Sequence, residues 1–248
     1  MILLFTDFGV EGPYVGQMKT VLASQAPYAP AIDLMHDAPA HKPSDAAYLL
    51  AALVPEMPSN AVCLAVVDPG VGSDRPPVAL RADDRWFVGP DNGLFELVQR
   101  RAHSADQWSI TWRPEQLSRS FHGRDLFAPV AARLARGEDA PGTPYPAGWR
   151  TVPTRPGAGW PDDRAAIIYI DRFGNAMTGL RASFLNESQT LVVGEMRVRH
   201  AAVFSEVPPG RVFWYANSIG LVEIAANRAS AAGLCRLDIG DVIAVEAR

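Results

Sequence analysis

Cysteine is nearly missing from this chain: Cys63 and Cys235 are the only two in 248 residues. So few thiols exclude a disulfide framework and any cysteine-based metal spacing. Both read as small buried hydrophobes, Cys63 inside an apolar run and Cys235 near the C-terminus. Long hydrophobic runs are missing too, and nothing approaches the roughly 20 apolar residues that cross a bilayer. The first residues, Met1-Ile-Leu-Leu-Phe-Thr-Asp7, hold no basic leader and no small-residue cleavage site, and read as a strand. The expectation is a soluble, cytoplasmic protein without a membrane partner. Positive charge is not in excess: 23 Lys and Arg stand against 27 Asp and Glu, a net −4. With no basic stripe and no interleaved aromatics, nucleic acid is not an expected partner. Neither a GxGxxG fingerprint nor a P-loop occurs, so a dinucleotide or ATP cradle has no support.

What is present is an ordinary globular composition, 48% hydrophobic and 20% charged, long enough for one large domain or two smaller ones. The continuous apolar runs Ile2 to Thr6 and Ala61 to Val67 have the pattern of buried parallel strands. Ala31 to Met35 is a further strand candidate, and Pro77 to Arg81 with Trp86 to Val88 reads as a hairpin. Helices are expected over Gly12 to Gln25, Asp45 to Val54 with Ser44 as N-cap, Gly93 to Arg101, and Asp125 to Arg136. Strands alternating with helices predict an N-terminal α/β layered domain with a mainly parallel sheet over residues 1–140. Residues 141–163 are rich in proline and glycine and read as a linker or an extended wrapping segment. Short strands then recur at Ala165 to Ile170, Thr190 to Val193, Arg197 to Val203, Arg211 to Tyr215 and Val242 to Glu246. They predict a smaller antiparallel, barrel-like β domain over 164–248.

Two strings carry chemistry. Asp68-Pro-Gly-Val-Gly-Ser-Asp-Arg75 follows the clearest strand, where open α/β sheets bind ligands. Ser120-Phe-His-Gly-Arg-Asp125 supplies an imidazole beside a glycine at a loop-to-helix junction. Together they offer a carboxylate, a guanidinium and a histidine, enough to orient and activate a water. Asp7 follows the first strand in the same way, either as a turn cap or as an acceptor for ribose hydroxyls. His36, His41, His103 and His200 stand isolated and read as surface or capping residues. Asp171-Arg-Phe-Gly-Asn175 and Asn217-Ser-Ile-Gly220 with Glu223 are polar turns in the β domain, able to close over a ligand. The abundance of carboxylates suits a cationic small molecule.

Taken as a set, TDFG with Tyr14-Val-Gly-Gln-Met-Lys19, DPGVGSDR, VGPDNGL, SFHGRDLFAP, IDRFGN and NSIGLVEIAAN resemble the S-adenosyl-L-methionine (SAM) hydroxide adenosyltransferase family, SAM hydrolases related to fluorinase and chlorinase enzymes. The resemblance runs in order from residue 2 to about 246. It implies attack of water or hydroxide on ribose C5′ of SAM, giving adenosine and L-methionine. SAM is then the substrate, with no cofactor and no metal. It also implies a homotrimer with active sites at subunit interfaces. Family catalytic positions match Asp68, Arg75 and His122. Asp7 matches the ribose-diol ligand, Asp171 the acceptor of the methionine ammonium, and Asn175 the reader of the adenine edge. Ser218, Glu223 and the backbone near Ala226 match other substrate contacts. Halogenating relatives carry Tyr-Pro-x-Thr-Gly in place of Asp68-Pro-Gly-Val-Gly72, and a carboxylate aimed at the nucleophile pocket would repel halide. The competing readings are a non-catalytic SAM or adenosine binding module and a SAM-dependent halogenase.

Overall fold

A computed structural model describes residues 1–246 and divides the chain into two compact units, Met1–Trp160 and a second beginning at Pro161. The first unit is built on β1 (Ile2–Thr6), α1 (Tyr14–Gln25), β2 (Ala31–Met35), α2 (Pro43–Leu53), β3 (Val62–Val66), β4 (Pro77–Ala82), β5 (Arg85–Pro90), α3 (Glu96–Arg101), β6 (Ala105–Ile110), α4 (Ala128–Ala135) and β7 (Gly142–Pro144). The strands form one sheet in the order β2-β1-β3-β5-β4-β6-β7. From β2 through β5 the pairing is parallel, and β4, β6 and β7 add antiparallel pairings.

The apolar runs become strands because both of their faces are covered. Ile2, Leu4, Val62, Leu64 and Val66 join Met18 and Leu22 of α1 and Val130 and Leu134 of α4 in one core. Alternation sends Leu3, Phe5, Cys63 and Ala65 to the opposite face, where they are equally buried, as a parallel sheet layered by helices requires. The chain turns to one side of β1 to make β2 and to the other to make β3. A topological switch point therefore lies between β1 and β3, with Thr6 opposite Val66. Crevices at such points bind ligands.

Several boundaries differ from expectation. Helix α2 starts at Pro43 with Lys42 before it, so Ser44 is no cap; proline at the first helical position needs no N–H partner and has a helical φ already. Asp125 lies in a π-helical turn, Gly123–Phe127, and α4 begins only at Ala128. Strands β6 and β7 were not foreseen. The stretch after Gly137 wraps this unit at least as far as Trp160: β7 pairs with β6, and the Arg155 guanidinium reaches Glu96 at the start of α3.

The second unit contains β8 (Arg164–Ile170), β9 (Ala176–Arg181), β10 (Thr190–Val193), β11 (Met196–Val198), β12 (Val212–Ala216), β13 (Leu221–Ala226), α5 (Ala231–Cys235) and β14 (Ala244–Glu246). Two antiparallel sheets, β12-β13-β9-β8 and β11-β10-β14, enclose a core including Ile167, Leu191, Trp214, Val222 and Ile224. Isolated bridges Ala166–Val242 and His200–Trp214 tie the sheets together at both edges, giving the barrel-like curl. Strands β9 and β13, central to this unit, were not anticipated.

Glu96 is 1% exposed and accepts from both Arg100 and Arg155, so it holds the wrapping segment to α3. Removing one partner of a buried ion pair leaves uncompensated charge, typically costing about 3–5 kcal/mol. Glu96→Ala is expected to lower the free energy of urea unfolding by about 3 kcal/mol. A loss under about 1 kcal/mol would contradict this role.

Candidate active site

Two clefts, one in each unit, hold most of the residues singled out by sequence; Asp7 and Arg75 are not among the lining residues of either. The first has a volume of about 390 Å³ and is lined by Asp68 and His122 with Phe8, Tyr14, Gln17 and Phe121 among others. Asp68 leaves the sheet just past β3, and the glycines behind it let the loop fold back. Gly72 has φ +82°, and a Cβ there would meet the Arg119 carbonyl oxygen at 2.6 Å. Only glycine satisfies both conditions.

That reversal delivers Arg75 to Asp68. Arg75 Nε donates to Asp68 Oδ1 at 2.8 Å and Nη2 donates to Oδ2, a bidentate pair whose planar geometry fixes both groups. The side chains of Arg75 and Asp68 are only 10% and 4% exposed. The same Nη2 lies 3.0 Å from His122 Nδ1. A guanidinium has donors and no acceptor, so Nδ1 must accept, and His122 is neutral with its proton on Nε2. Burial, and then the Arg75 charge, push the His122 pKa below its usual value. Phe127 backs the assembly, its ring 5.3 Å from the Arg75 guanidinium carbon.

Asp7 leaves β1, the strand next to β3, at the same end of the sheet. Its Oδ2 accepts from the His41 backbone N–H at 3.0 Å, so the carboxylate is engaged by segment 36–41 rather than by Arg75. His41 is exposed and has φ +59°. Arg124 and Asp125 form an ion pair, Nε to Oδ1 2.6 Å. Asp125 Oδ2 accepts from Ser118 N at 2.9 Å, so it braces the loop before His122 instead of capping α4.

The second cleft, about 750 Å³, brings together Asp171, Asn175, Ser218, Glu223 and Ala226. Asp171 shapes its own turn: Oδ1 accepts from Phe173 N and Asn175 N, both at 2.8 Å, and Oδ2 from Asn175 Nδ2 at 3.0 Å. Gly174 closes the turn at φ +80°, where a Cβ would fall 2.0 Å from Ser230 Oγ. Glu223, on β13, is 2% exposed. It accepts from Tyr215 Oη at 2.7 Å and Asn217 Nδ2 at 2.8 Å. Burial, opposed by these bonds and reinforced by the Asp171 charge, raises its pKa. Two carboxylates, Asp171 and Glu223, share this cleft with the guanidinium-bearing Arg228.

Both halves of the chain match known domain models. Residues 2–143 match the SAM hydroxide adenosyltransferase N-terminal domain and 165–244 the C-terminal domain. The chain belongs to this family. Among curated relatives, the (R)-S-adenosyl-L-methionine hydrolase of Thermus thermophilus is 40% identical over 93% of both chains. That of Salinispora arenicola is 37% identical over 98% of this chain and 96% of its own. A crystal structure of an uncharacterized conserved protein from Thermotoga maritima superposes with TM-score 0.88 at 28% identity, covering 99% of each chain. One of a conserved hypothetical protein from Thermus thermophilus gives 0.78 at 36%, again over 99% of each.

Sequence reasoning missed the aromatic wall of the first cleft. Phe8, Tyr14 and Phe121 form a triangle with ring centroids 5.2–5.9 Å apart. Two of them flank residues already singled out, but no spacing rule marks them as a cluster. Tyr215, which with Asn217 holds Glu223, was likewise hidden by its separation in sequence.

The depressed His122 pKa means that the folded protein disfavours the imidazolium while the unfolded chain accepts the proton first. Its contribution to stability is therefore present above the unfolded imidazole value and is lost as pH falls through the folded one. NMR titration of the His122 ring is expected to give a midpoint below that of an unstructured histidine peptide. A midpoint at or above the peptide value would contradict the bond from Arg75.

Proposed function

We propose that this protein hydrolyses SAM to adenosine and L-methionine by attack of water or hydroxide on ribose C5′. The observation that carries this reading is the Asp68–Arg75–His122 assembly, with a carboxylate and a neutral imidazole facing one cleft and a guanidinium locked behind them. Oxygen forms a bond to C5′ as the C5′–S bond breaks, its electron pair staying on sulfur as the methionine thioether. A sulfonium is a good leaving group, so no acid is needed on that side and the reaction consumes only SAM and water. We assign no cofactor and no metal.

Placement of the oxygen in line with the C5′–S bond supplies much of the rate in such a reaction. His122 holds the oxygen by donating from Nε2, since Nδ1 is occupied by Arg75. Asp68 accepts the proton released as the C–O bond forms, and Arg75 holds Asp68 and His122 in place. The Asp68 carboxylate would repel chloride or fluoride, which disfavours halogenation. The assembled triad disfavours a binding module without turnover.

For the rest of the substrate, Asp7 takes the ribose diol. Asp171 takes the methionine ammonium, with Glu223 adding negative charge, and Asn175 the adenine edge. Ser218 and the backbone at Ala226 complete the second cleft. We further propose a cytoplasmic homotrimer in which the first cleft of one subunit and the second cleft of its neighbour enclose one SAM molecule. Among the described residues no helix is long and apolar enough to cross a membrane. The relatives' names specify the (R) sulfonium configuration, and we extend that preference to this chain.

Incubation with each sulfonium epimer of SAM, followed by chromatography of adenosine and methionine, tests the reading. Wild type is expected to release both products in equal amounts, faster from the (R) epimer. Asp68→Ala is expected to lose at least about 100-fold in kcat, the usual scale for a positioned proton acceptor. His122→Asn, which keeps an N–H donor, should retain more activity than His122→Ala. Absence of adenosine with both epimers, or unchanged turnover in Asp68→Ala, would overturn the assignment.

A further inference from the structure

His36, set aside by sequence as a surface or capping residue, is 5% exposed and lies between two oxygens. Its Nε2 is 3.0 Å from Asp33 Oδ1 and its Nδ1 is 2.8 Å from Thr6 Oγ1. Lys19 Nζ donates to the other oxygen of Asp33 at 3.0 Å. The Asp33 pKa is lowered, chiefly by the bond from His36, so Asp33 is a carboxylate that only accepts. The proton of a neutral His36 then sits on Nε2, and Nδ1 accepts from the Thr6 hydroxyl. Thr6 Oγ1 in turn accepts from Phe8 N at 3.3 Å. Every polar group in this line thereby has a partner of the right sense.

The line ends on the loop that carries Asp7. Thr6 itself is fully buried as the last residue of β1. The backbone bonds Gly9 N to His36 O, 2.7 Å, and Ala38 N to Thr6 O, 3.1 Å, clamp the same two segments together. His41, at the far end of the clamp, gives its N–H to the Asp7 carboxylate from a left-handed backbone, φ +59°. A short loop next to a ligand cleft is thus held by a hydrogen-bonded chain running back to β2, where Asp33 lies opposite Leu4.

We propose that Asp33, His36 and Thr6 form a positioning relay that sets the angle at which Asp7 meets the ribose diol. The proposal rests on the reading that Asp7 binds the ribose. None of the three residues touches substrate: Asp33 fixes the His36 tautomer, His36 fixes the Thr6 hydroxyl, and Thr6 fixes the 6–9 loop through Phe8 N–H.

The test compares adenosine with 2′,3′-dideoxyadenosine, which lacks the diol, by titration calorimetry. Wild type is expected to prefer adenosine. Thr6→Val, which keeps shape and removes the hydroxyl, is expected to weaken adenosine about 3- to 10-fold, the scale of one net hydrogen bond, and to leave dideoxyadenosine unchanged. Thr6→Ser should restore the wild-type preference. A merely structural role would weaken both nucleosides alike, and that result, or an unchanged preference in Thr6→Val, overturns the relay. Should Thr6→Val fail to fold, Asp33→Ala, which removes the acceptor for His36 Nε2 at a half-exposed position, is judged by the same ratio. A wild type that does not distinguish the two nucleosides would instead overturn the ribose role of Asp7, and the relay with it.

Discussion

One guanidinium, that of Arg75, organises the chemistry of the first cleft. It spends two donors on Asp68 and shares one of them with His122, so its charge is neutralised on one side and its directionality used on the other. Without it, a carboxylate 4% exposed would be buried without a counter-charge, which is costly. The imidazole would also be free to choose either tautomer. The pair therefore stabilises the loop and assigns the proton of His122 in a single arrangement. Both depend on the tight reversal at Gly72, which brings the two ends of an eight-residue string back into contact.

The scaffold explains why this assembly sits where it does. Parallel strands β1 and β3 end together at the switch point, with Thr6 opposite Val66, so Asp7 and Asp68 leave the sheet at the same end. The left-handed positions, Gly72 and His41, lie in the loops beyond. The second unit builds a different kind of receptor, with carboxylates on turns and on a fully buried strand, each satisfied by amide or phenol donors. The first unit instead pairs its carboxylate, Asp68, with a guanidinium.

Much of this was legible in the sequence, for physical reasons that differ by element. Ile2 to Thr6 and Ala61 to Val67 were readable because strands buried on both faces carry unbroken apolar runs. Asp68, Arg75 and His122 were readable because glycine-flanked polar residues at strand and helix ends have few structural uses. Strand β13 escaped because Leu221-Val-Glu-Ile-Ala-Ala226 is made largely of good helix formers. Its buried Glu223 makes sense only once Tyr215 and Asn217 are placed beside it. The start of α4 was misjudged because an acidic residue before an apolar run resembles a helix start, whereas Asp125 lies in the π-helical turn and accepts from Ser118 N. His36 was invisible for the same reason as Tyr215: its partners Thr6 and Asp33 come together through the register of neighbouring strands.

The central claim is that an oxygen from solvent, held by Asp68 and His122, displaces methionine at C5′. The most direct measurement is turnover of SAM in water enriched in oxygen-18, with mass spectrometry of the products. The account predicts one labelled oxygen in adenosine, at the 5′ hydroxyl, and none in methionine. Unlabelled adenosine, or label appearing in methionine, would contradict it.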